Sequence, residues 1–475
     1  MSEPRDATVR HGTVSHTGDD NMTESTFPSE QWWSEYQTVV NDDTEMTMHG
    51  RDAFDESFLI GVGDDHHLLE MHDGELVDVR TPGLDDSWAF GVVGAPEAWE
   101  QFLQEVPPAH HNELFASFYR TAVKQEPGYF DLIGDHKKLF QNFRSVQRAL
   151  DLMRTAENGG TPGTEGTTRP SEPADAAEGG YVTVDLDGVD HRIYYEAAGP
   201  ADGIPLLCQH TAGCNNQQWR HVLNDEEITD NFRVIAYDLP RHGKSVPPAG
   251  DTWWNDQYDL TAERFTDTIV SIADALGLDD PVSIGSSMGG TITLELADWY
   301  PDRFRALIGL EAGLFTPGFY IGWLDHPHIN ANDVNSWATW GLMAPHSPEW
   351  ARRETIYNYE QGANGVLKGD LYYYSVEHDY REDADNIDAT KTRMYLMNGE
   401  YDYLTNPDDA RLAADAIGEG ATAHEMKATG HFPMAERPDL FPEYLKAVLA
   451  DIRGERSEPL PEVLKPDDFG VEANR

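Results

Sequence analysis

The sequence predicts an α/β protein whose main part is a sheet of about eight mostly parallel strands with a helical cap, preceded by a small α+β domain. Three observations support this prediction. The 475 residues are more than one hydrophobic core usually serves. A segment rich in Gly, Pro, Thr and Glu at 157–180 divides the chain. After that segment, short apolar runs alternate with helical stretches, as in a parallel sheet covered by helices.

Shifts in composition give the expected domain boundaries. We predict, in order, a disordered tail, an α+β domain, a flexible linker, an α/β domain and an acidic tail, at residues 1–30, 31–156, 157–180, 181–453 and 454–475.

In the α+β domain, alternating apolar runs predict a small antiparallel sheet with helices on one side. The predicted strands are 57–62, 67–71, 75–79 and 88–93, with a further apolar run at 129–135. The predicted helices are 96–106, 113–123 and 137–153.

In the α/β domain, apolar runs bounded by turn residues predict eight strands. They are 181–186, 191–197, 205–209, 233–238, 281–285, 305–311, 393–399 and 423–427. Helical periodicity is clearest at 262–277 and 407–418, where glycines fit the helix ends. The stretch between the sixth and seventh strands is too long for a plain crossover, so we predict a cap at about 314–390.

The chain is strongly acidic, with 34 Lys+Arg against 85 Asp+Glu and a net charge of -51. The acidity is spread over both domains, and only nine of the basic residues are lysines. This composition is typical of halophilic cytoplasmic proteins, because molar salt screens repulsion among carboxylates. An acidic protein of an ordinary cytoplasm is the alternative. Nucleic acid and anionic membrane surfaces are poor partners for such a surface.

Targeting and redox signals agree with a cytoplasmic protein. No apolar run is long enough to span a membrane, and the first thirty residues lack the apolar core of a signal peptide. Two cysteines exclude a disulfide framework.

A candidate nucleophile follows the fifth predicted strand. Gly285 to Gly289 form a G-x-S-x-G pentapeptide between an apolar strand and an amphipathic helix. A serine on such a sharp turn needs small residues two positions away on either side, since the backbone leaves no room for side chains there. Ser287 meets this requirement, whereas Ser286 has Ile284 and Met288 at those positions.

A serine hydroxyl needs a base to take its proton and a carboxylate to orient that base. Asp402 follows the seventh predicted strand and His431 follows the eighth, so the predicted triad is Ser287, Asp402 and His431. Glu311, at the end of the sixth strand, is a second candidate for the acid, and Glu400 is a weaker one.

Acyl transfer also needs two backbone N–H groups aimed at the developing oxyanion. The residue after the nucleophile, Met288, supplies one of them. For the other we predict Ala212 in the loop after the third strand, with Thr211 as the alternative.

With these motifs in place, residues 181–453 resemble the α/β-hydrolase fold superfamily. The segment from Asp238 to Ser245 is similar to the superfamily's D-x-x-G-x-G-x-S turn, and the segment from His431 to Pro438 is similar to its final histidine segment. Thr211 and Arg241 replace two glycines of the usual pattern.

The resemblance implies a chemistry. Haloalkane dehalogenases and epoxide hydrolases of this superfamily carry Asp at the position of Ser287, whereas serine implies acyl transfer. We therefore expect a serine hydrolase that acts on a moderately apolar ester, thioester or lactone. A C–C bond hydrolase with the same triad is the alternative.

Residues of about 45–155 resemble sterol carrier protein-like lipid-transfer domains. The resemblance lies in the G-x-P-x-x-W pattern from Gly94 to Trp99 and the I-G-D-x-x-x-L pattern from Ile133 to Leu139. It implies an apolar tunnel and a possible lipid ligand. A non-catalytic lipid-binding protein is therefore a further alternative, although the aromatic residues of this domain could also simply pack its core.

The remaining candidates for ligand binding are less specific. Aromatic residues of the predicted cap either line a pocket or pack the cap: Trp323, Trp337, Trp340, Trp350, Tyr357, Tyr359 and Tyr372–Tyr374. We interpret Arg352 and Arg353 as solvent-facing charges rather than ligands of a substrate carboxylate. The sequence has no phosphate-binding glycine loop, dinucleotide fingerprint or metal-ligand spacing, so we expect no cofactor and no metal.

Overall fold

The computed structural model describes residues 26–114, 129–160 and 176–471. Most of the predicted tail, linker and 113–123 helix lies outside these ranges. Within them the chain builds a five-stranded and a nine-stranded sheet.

The first sheet has the spatial order β3-β2-β1-β4-β5. Its strands are β1 Ser57–Val62, β2 Asp65–His72, β3 Glu75–Arg80, β4 Phe90–Gly94 and β5 Phe130–Gly134. The prediction of a wholly antiparallel sheet is wrong for one pair, because β4 lies parallel to β1 with Ile60 opposite Val92. The chain after β3 crosses to the other side of β1 instead of forming a third hairpin.

The helices of this part are α1 Glu30–Asp42, α2 Thr44–Gly50, α3 Pro96–Phe102, α4 His136–Gln141 and α5 Phe143–Asn158. Helix α1 begins after Ser29, whose hydroxyl accepts a hydrogen bond from the amide of Trp32. It packs on α5, where the Tyr36 hydroxyl donates to the carbonyl of Ala149 at 2.9 Å. Neither α1 nor α2 was predicted from the sequence.

The second sheet has the order β14-β13-β12-β11-β10-β8-β9-β7-β6. Its strands are β6 Glu178–Leu186, β7 Val189–Ala198, β8 Ile204–Gln209, β9 Phe232–Tyr237, β10 Val282–Ser286, β11 Ala306–Leu310, β12 Arg393–Gly399, β13 Ala421–Met426 and β14 Val463–Leu464. Strands β8 to β14 pair in parallel, and β7 is antiparallel to both β6 and β9.

The predicted fold class, a mostly parallel sheet with helices after a small α+β part, is confirmed. The sheet has a ninth strand, β14, within the segment predicted as an acidic tail. Two apolar residues gave too short a signal for a strand, and pairing with β13 supplies the missing hydrogen bonds.

Helices cover this sheet and the loop ends. They are α6 Arg220–Leu223, α7 Glu226–Thr229, α8 Ala262–Ala275, α9 Met288–Thr291, α10 Thr293–Trp299, α11 Ala331–Trp340, α12 Glu349–Glu360, α13 Val366–Tyr372, α14 Pro407–Ile417, α15 Pro433–Glu436 and α16 Phe441–Ile452. The segment between β11 and β12, which we call the cap segment, carries α11, α12, α13 and a π-helical turn at Tyr373–Glu377.

The α+β part packs against the cap segment. One hydrophobic cluster contains buried residues of both, including Trp32, Phe143 and Trp337. The Trp340 indole donates to the Asp151 carboxylate at 2.6 Å.

Arginines of the cap segment complete this contact. Both terminal nitrogens of Arg353 donate to Glu45 at 2.6 Å, and Arg352 stacks over the Trp340 ring at 3.5 Å. The interpretation of Arg352 and Arg353 as solvent-facing charges is therefore wrong, because Arg353 pairs with Glu45 from a distant part of the chain and Arg352 packs on Trp340 of the preceding helix.

No helix among the described residues is both long and apolar enough to cross a membrane.

Candidate active site

Ser287 lies on a strained turn between β10 and α9. Its backbone has φ 57° and ψ -121°, a conformation that costs a non-glycine residue about 1–3 kcal/mol. A Cβ atom on Gly285 would lie 2.1 Å from the carbonyl oxygen of Gly289, and one on Gly289 would lie 2.8 Å from that of His210. The two flanking glycines are therefore required by the turn that presents the serine.

Two segments supply the backbone amides that were predicted to form the oxyanion site. Met288 is the first residue of α9, where an amide has no partner within its helix. In the loop after β8, the Thr211 amide donates to Gln218 Oε1 at 3.0 Å and the Gly213 amide to Asp370 Oδ2 at 2.7 Å. The Ala212 amide between them meets no acceptor within the described part of the chain. Of the two residues predicted as the second oxyanion donor, Thr211 has its N–H committed and Ala212 does not.

His431 pairs with Asp402. The distance between His431 Nδ1 and Asp402 Oδ2 is 2.8 Å, and both side chains are buried. Asp402 also accepts hydrogen bonds from the Leu404 amide at 2.8 Å and the Thr405 hydroxyl at 2.9 Å. Burial opposes ionisation of Asp402, but His431, the Glu311 side chain and the Leu404 amide outweigh it and lower the pKa of the carboxyl. An ionised Asp402 can hold the His431 ring with Nδ1 as the donor.

The other two acid candidates have different partners. Glu311 is fully buried, and its two carboxyl oxygens share the single Gly399 N–H, at 2.8 and 3.0 Å. Burial and the neighbouring Asp402 charge raise the pKa of Glu311 well above its usual value. Glu400 accepts from Lys427 at 2.9 Å and from the Ala428 amide at 3.1 Å.

Ser287, His431 and Ala212 line one cavity of ≈ 170 Å³. Its walls are mainly apolar. From the cap segment they include Phe319, Ile321, Trp323, Leu324, Val334, Leu342, Tyr359, Leu367, Leu371 and Tyr374. Of the cap aromatics named from the sequence, Trp323, Tyr359 and Tyr374 line this cavity, whereas Trp337 and Tyr373 are buried elsewhere. Burial raises the pKa of the Tyr374 hydroxyl, and the nearby side chains of Thr316, Ser287 and Thr405 oppose that shift.

Two phenylalanines of the α+β part, Phe140 and Phe143, also line the cavity. This role was not predicted from the sequence, because helical spacing indicates that a side chain is buried but not which other part of the chain covers it.

Asp370 of α13 was also missed. It is fully buried and accepts hydrogen bonds from the Gly213 amide, from Tyr258 at 3.0 Å and from His242 Nε2 at 2.8 Å. Burial alone would lower the pKa of His242, but the Asp370 carboxylate raises it above its usual value. A buried pair between the cap segment and the turn after β9 thus fixes the loop that carries Ala212.

The turn after β9 shows how Arg241 can replace the glycine of the superfamily's D-x-x-G-x-G-x-S pattern. The Asp238 carboxylate accepts from the amides of Asn216 at 2.8 Å and Lys244 at 2.7 Å. Arg241, at the position of a usual glycine, has φ 73°. The backbone thus keeps the left-handed conformation that glycine favours, with a hydrogen bond from the Arg241 amide to the Ser245 carbonyl at 2.8 Å.

No group of three or more His, Cys, Asp or Glu residues within 26–114, 129–160 and 176–471 is arranged to hold a metal ion.

Comparisons with known proteins place the chain in a family. The model of the alpha/beta hydrolase family matches residues 206–443, and the chain belongs to this family. The match covers β8 to the start of α16 and thus every residue of the predicted triad and oxyanion site.

Individual relatives match shorter stretches. A proline iminopeptidase of Xylella fastidiosa is 31% identical over 122 residues, which is 25% of this chain and 36% of the relative. An epoxide hydrolase of Caballeronia sordidicola is 30% identical over 142 residues, 30% of this chain and 40% of the relative. A 2-hydroxy-6-oxo-6-phenylhexa-2,4-dienoate hydrolase of Burkholderia cepacia is 29% identical over 155 residues, 31% of this chain and 51% of the relative. The chain thus spans between about a third and a half of the length of these relatives.

Similar solved structures include a thermophilic esterase from Thermogutta terrifontis, with 19% identity and a TM-score of 0.47 over 58% of this chain and 99% of the esterase. The enol-lactonase from Burkholderia xenovorans LB400 has 18% identity and a TM-score of 0.48 over 58% of this chain and 100% of the lactonase.

Proposed function

We propose that the protein is a serine hydrolase that forms an acyl-enzyme on Ser287. The observation that carries this proposal is that a serine on a strained turn and the buried His431–Asp402 pair border the same apolar cavity. This is the set of groups that acyl transfer requires.

In the first half of the reaction, His431 Nε2 takes the proton of the Ser287 hydroxyl as its oxygen bonds to the substrate carbonyl carbon. The N–H groups of Met288 and Ala212 stabilise the resulting oxyanion. The tetrahedral intermediate then expels the alcohol or thiol, which takes the proton from His431. Asp402 stabilises the transient imidazolium.

In the second half, His431 takes a proton from water, and the water oxygen attacks the acyl carbon. The bond to Ser287 breaks, the serine regains a proton from His431, and the carboxylic acid leaves. No step needs a metal ion or an external cofactor.

The cavity supports the proposed class of substrate. Its mainly apolar walls suit the acyl group of a moderately apolar ester, thioester or lactone. The net charge of -51 works against strongly anionic substrates at low salt.

The proposal is tested by labelling with a fluorophosphonate probe in molar KCl, together with turnover of short p-nitrophenyl esters. We expect covalent labelling that is lost in Ser287→Ala. Ser271→Ala, at a serine of α8 that does not line the cavity, is the matched control and keeps both labelling and turnover. A folded wild-type protein that is neither labelled nor active on these esters contradicts the proposal.

A second candidate reaction is hydrolysis of a C–C bond with the same triad. It is favoured by the Burkholderia cepacia relative, which is named for such a substrate. A panel of vinylogous diketones assayed beside the esters separates the two, because an esterase leaves the diketones intact. Stoichiometric bound lipid with no turnover on either panel would instead support the non-catalytic, lipid-binding alternative.

A further inference from the structure

The cavity that contains Ser287 is not built by the hydrolase part alone. Phe140 is in α4 and Phe143 begins α5, and both belong to the α+β part that precedes the hydrolase fold. They line the same cavity as Ser287 and His431. The family match begins only at residue 206, so these two side chains come from outside the matched region.

Both rings are held by contacts with other aromatic side chains. The centroids of Phe140 and Trp323 are 5.4 Å apart, with the rings tilted by 31°. The centroids of Phe140 and Phe143 are 5.9 Å apart. Phe143 is only 1% exposed, whereas Phe140 is half-buried. Phe140 therefore joins a ring of the cap segment to the buried core of the α+β part.

Polar contacts around the rings fix this arrangement. The Gln141 side chain, next to Phe140, donates to the carbonyl of His328 in the cap segment at 2.9 Å. Farther along, the Asp151–Trp340 bond and the Glu45–Arg353 pair tie the same two parts together. A side chain fixed from both sides can discriminate among ligands by size.

We propose that Phe140 and Phe143 form one wall of the acyl pocket and determine which acyl chains the enzyme accepts. This inference rests on the proposed function and specifies its substrate as an ester or thioester of an apolar acid with about six carbons, since a cavity of ~150 Å³ holds a benzene molecule. The α+β part is then a component of the active site.

The test compares kcat/KM for p-nitrophenyl acetate, hexanoate and decanoate in variants of Phe140. Phe140→Ala enlarges the pocket, and we expect the decanoate-to-hexanoate ratio to rise about tenfold, with acetate nearly unchanged. Phe140→Trp narrows the pocket and shifts the preference toward acetate. Phe143→Leu, a milder change at a buried position, shifts the preference in the same direction as Phe140→Ala.

Lys138→Ala is the matched control, because Lys138 lies on the same helix, pairs with Glu56 of the α+β part and does not line the cavity. It leaves the chain-length preference unchanged. If Phe140 had a purely structural role, its substitution would lower kcat/KM equally for all three esters. That result, or an unchanged chain-length preference in folded variants, overturns the inference.

A binding measurement separates this inference from the proposed function. The affinity of Ser287→Ala for p-nitrophenyl hexanoate, measured by native mass spectrometry, needs no catalysis. If the Ser287→Ala, Phe140→Ala double variant binds p-nitrophenyl hexanoate more weakly than Ser287→Ala does, Phe140 contacts the acyl chain. That conclusion holds even if the fluorophosphonate probe never labels the wild-type protein. Unchanged binding contradicts the role of Phe140 in the pocket wall but does not contradict the proposed acyl-enzyme on Ser287.

Discussion

Asp402 and Glu311 are two buried carboxyl groups that adjoin at the carboxyl ends of neighbouring strands. Two such groups do not both ionise, because their charges repel in a medium of low dielectric constant. Asp402 has His431, Leu404 and Thr405 as partners for a negative charge. The pKa of Asp402 is accordingly lowered and that of Glu311 raised. Asp402 therefore carries the charge and Glu311 the proton.

This assignment predicts opposite effects of two amide substitutions. Asp402→Asn removes the charge that orients His431, and we expect kcat on p-nitrophenyl esters to fall about 10⁴-fold. Glu311→Gln replaces a neutral acid by a neutral amide, and kcat stays close to that of the wild type. Active-site titration corrects for misfolded protein. The reverse pattern would make Glu311 the triad acid.

Because Glu311 holds a proton in the folded state, we expect the free energy of unfolding to depend on pH. Between the usual value near 4.5 and the raised pKa of Glu311, the folded state holds a proton that the unfolded state has lost. The free energy of unfolding then decreases as pH rises, by up to about 1.4 kcal/mol per pH unit. Glu311→Gln removes this slope, so the stability of the variant relative to the wild type should increase as pH rises from about 5 toward the raised pKa of Glu311 in guanidinium melts. A difference that is constant with pH contradicts a protonated Glu311.

At the scale of elements, α13 and the loop after β8 act together through Asp370. This carboxylate receives the Gly213 amide and, through His242, holds the turn after β9. A cap helix thereby sets the direction of the backbone that presents the Ala212 N–H.

Asp370→Asn should therefore lower kcat for all esters alike. We expect a decrease of about tenfold to a hundredfold, less than the 10²–10³ that follows removal of an oxyanion donor itself. The preference among acyl chain lengths stays as in the wild type, which distinguishes this effect from that of Phe140. Tyr258→Phe, which removes only the hydrogen bond to Asp370 Oδ1, is the milder control. A change in chain-length preference with unaltered kcat would contradict the positioning role.

The elements that local chemistry dictates were predictable from the sequence. Gly285 and Gly289 mark the turn at Ser287, because no other residue fits so close to the neighbouring backbone. The strand that leads to Asp402 contains a continuous apolar run from Met394 to Met397. By contrast, the parallel placement of β4, the short β14, and the roles of Phe140 and Asp370 depend on contacts between distant segments. No local pattern encodes such contacts.

For the whole molecule, charge dominates the expected behaviour. With a net charge of -51, the excess carboxylates repel one another in the folded state. Salt weakens this repulsion, because the screening length decreases from about 10 Å at 0.1 M salt to about 3 Å at 1 M. Ion pairs such as Arg353–Glu45 also weaken with salt, but 34 basic residues cannot neutralise 85 acidic ones.

We therefore expect the melting temperature to rise steadily from 0.1 M to 2 M KCl in calorimetry. Sucrose at matched viscosity is the control, because it stabilises compact states without screening charge. A melting temperature that is insensitive to KCl, or that rises equally in sucrose, would contradict an electrostatic origin.

The covalent intermediate on Ser287 is tested most directly by mass spectrometry of the protein quenched in acid during turnover of p-nitrophenyl hexanoate. The mechanism predicts a hexanoyl group on the peptide that contains Ser287. The group is absent from Ser287→Ala and strongly reduced in His431→Ala, because acylation needs the base that takes the serine proton. Turnover by the wild-type protein without any acylated peptide, or with the acyl group on another residue, would contradict the mechanism.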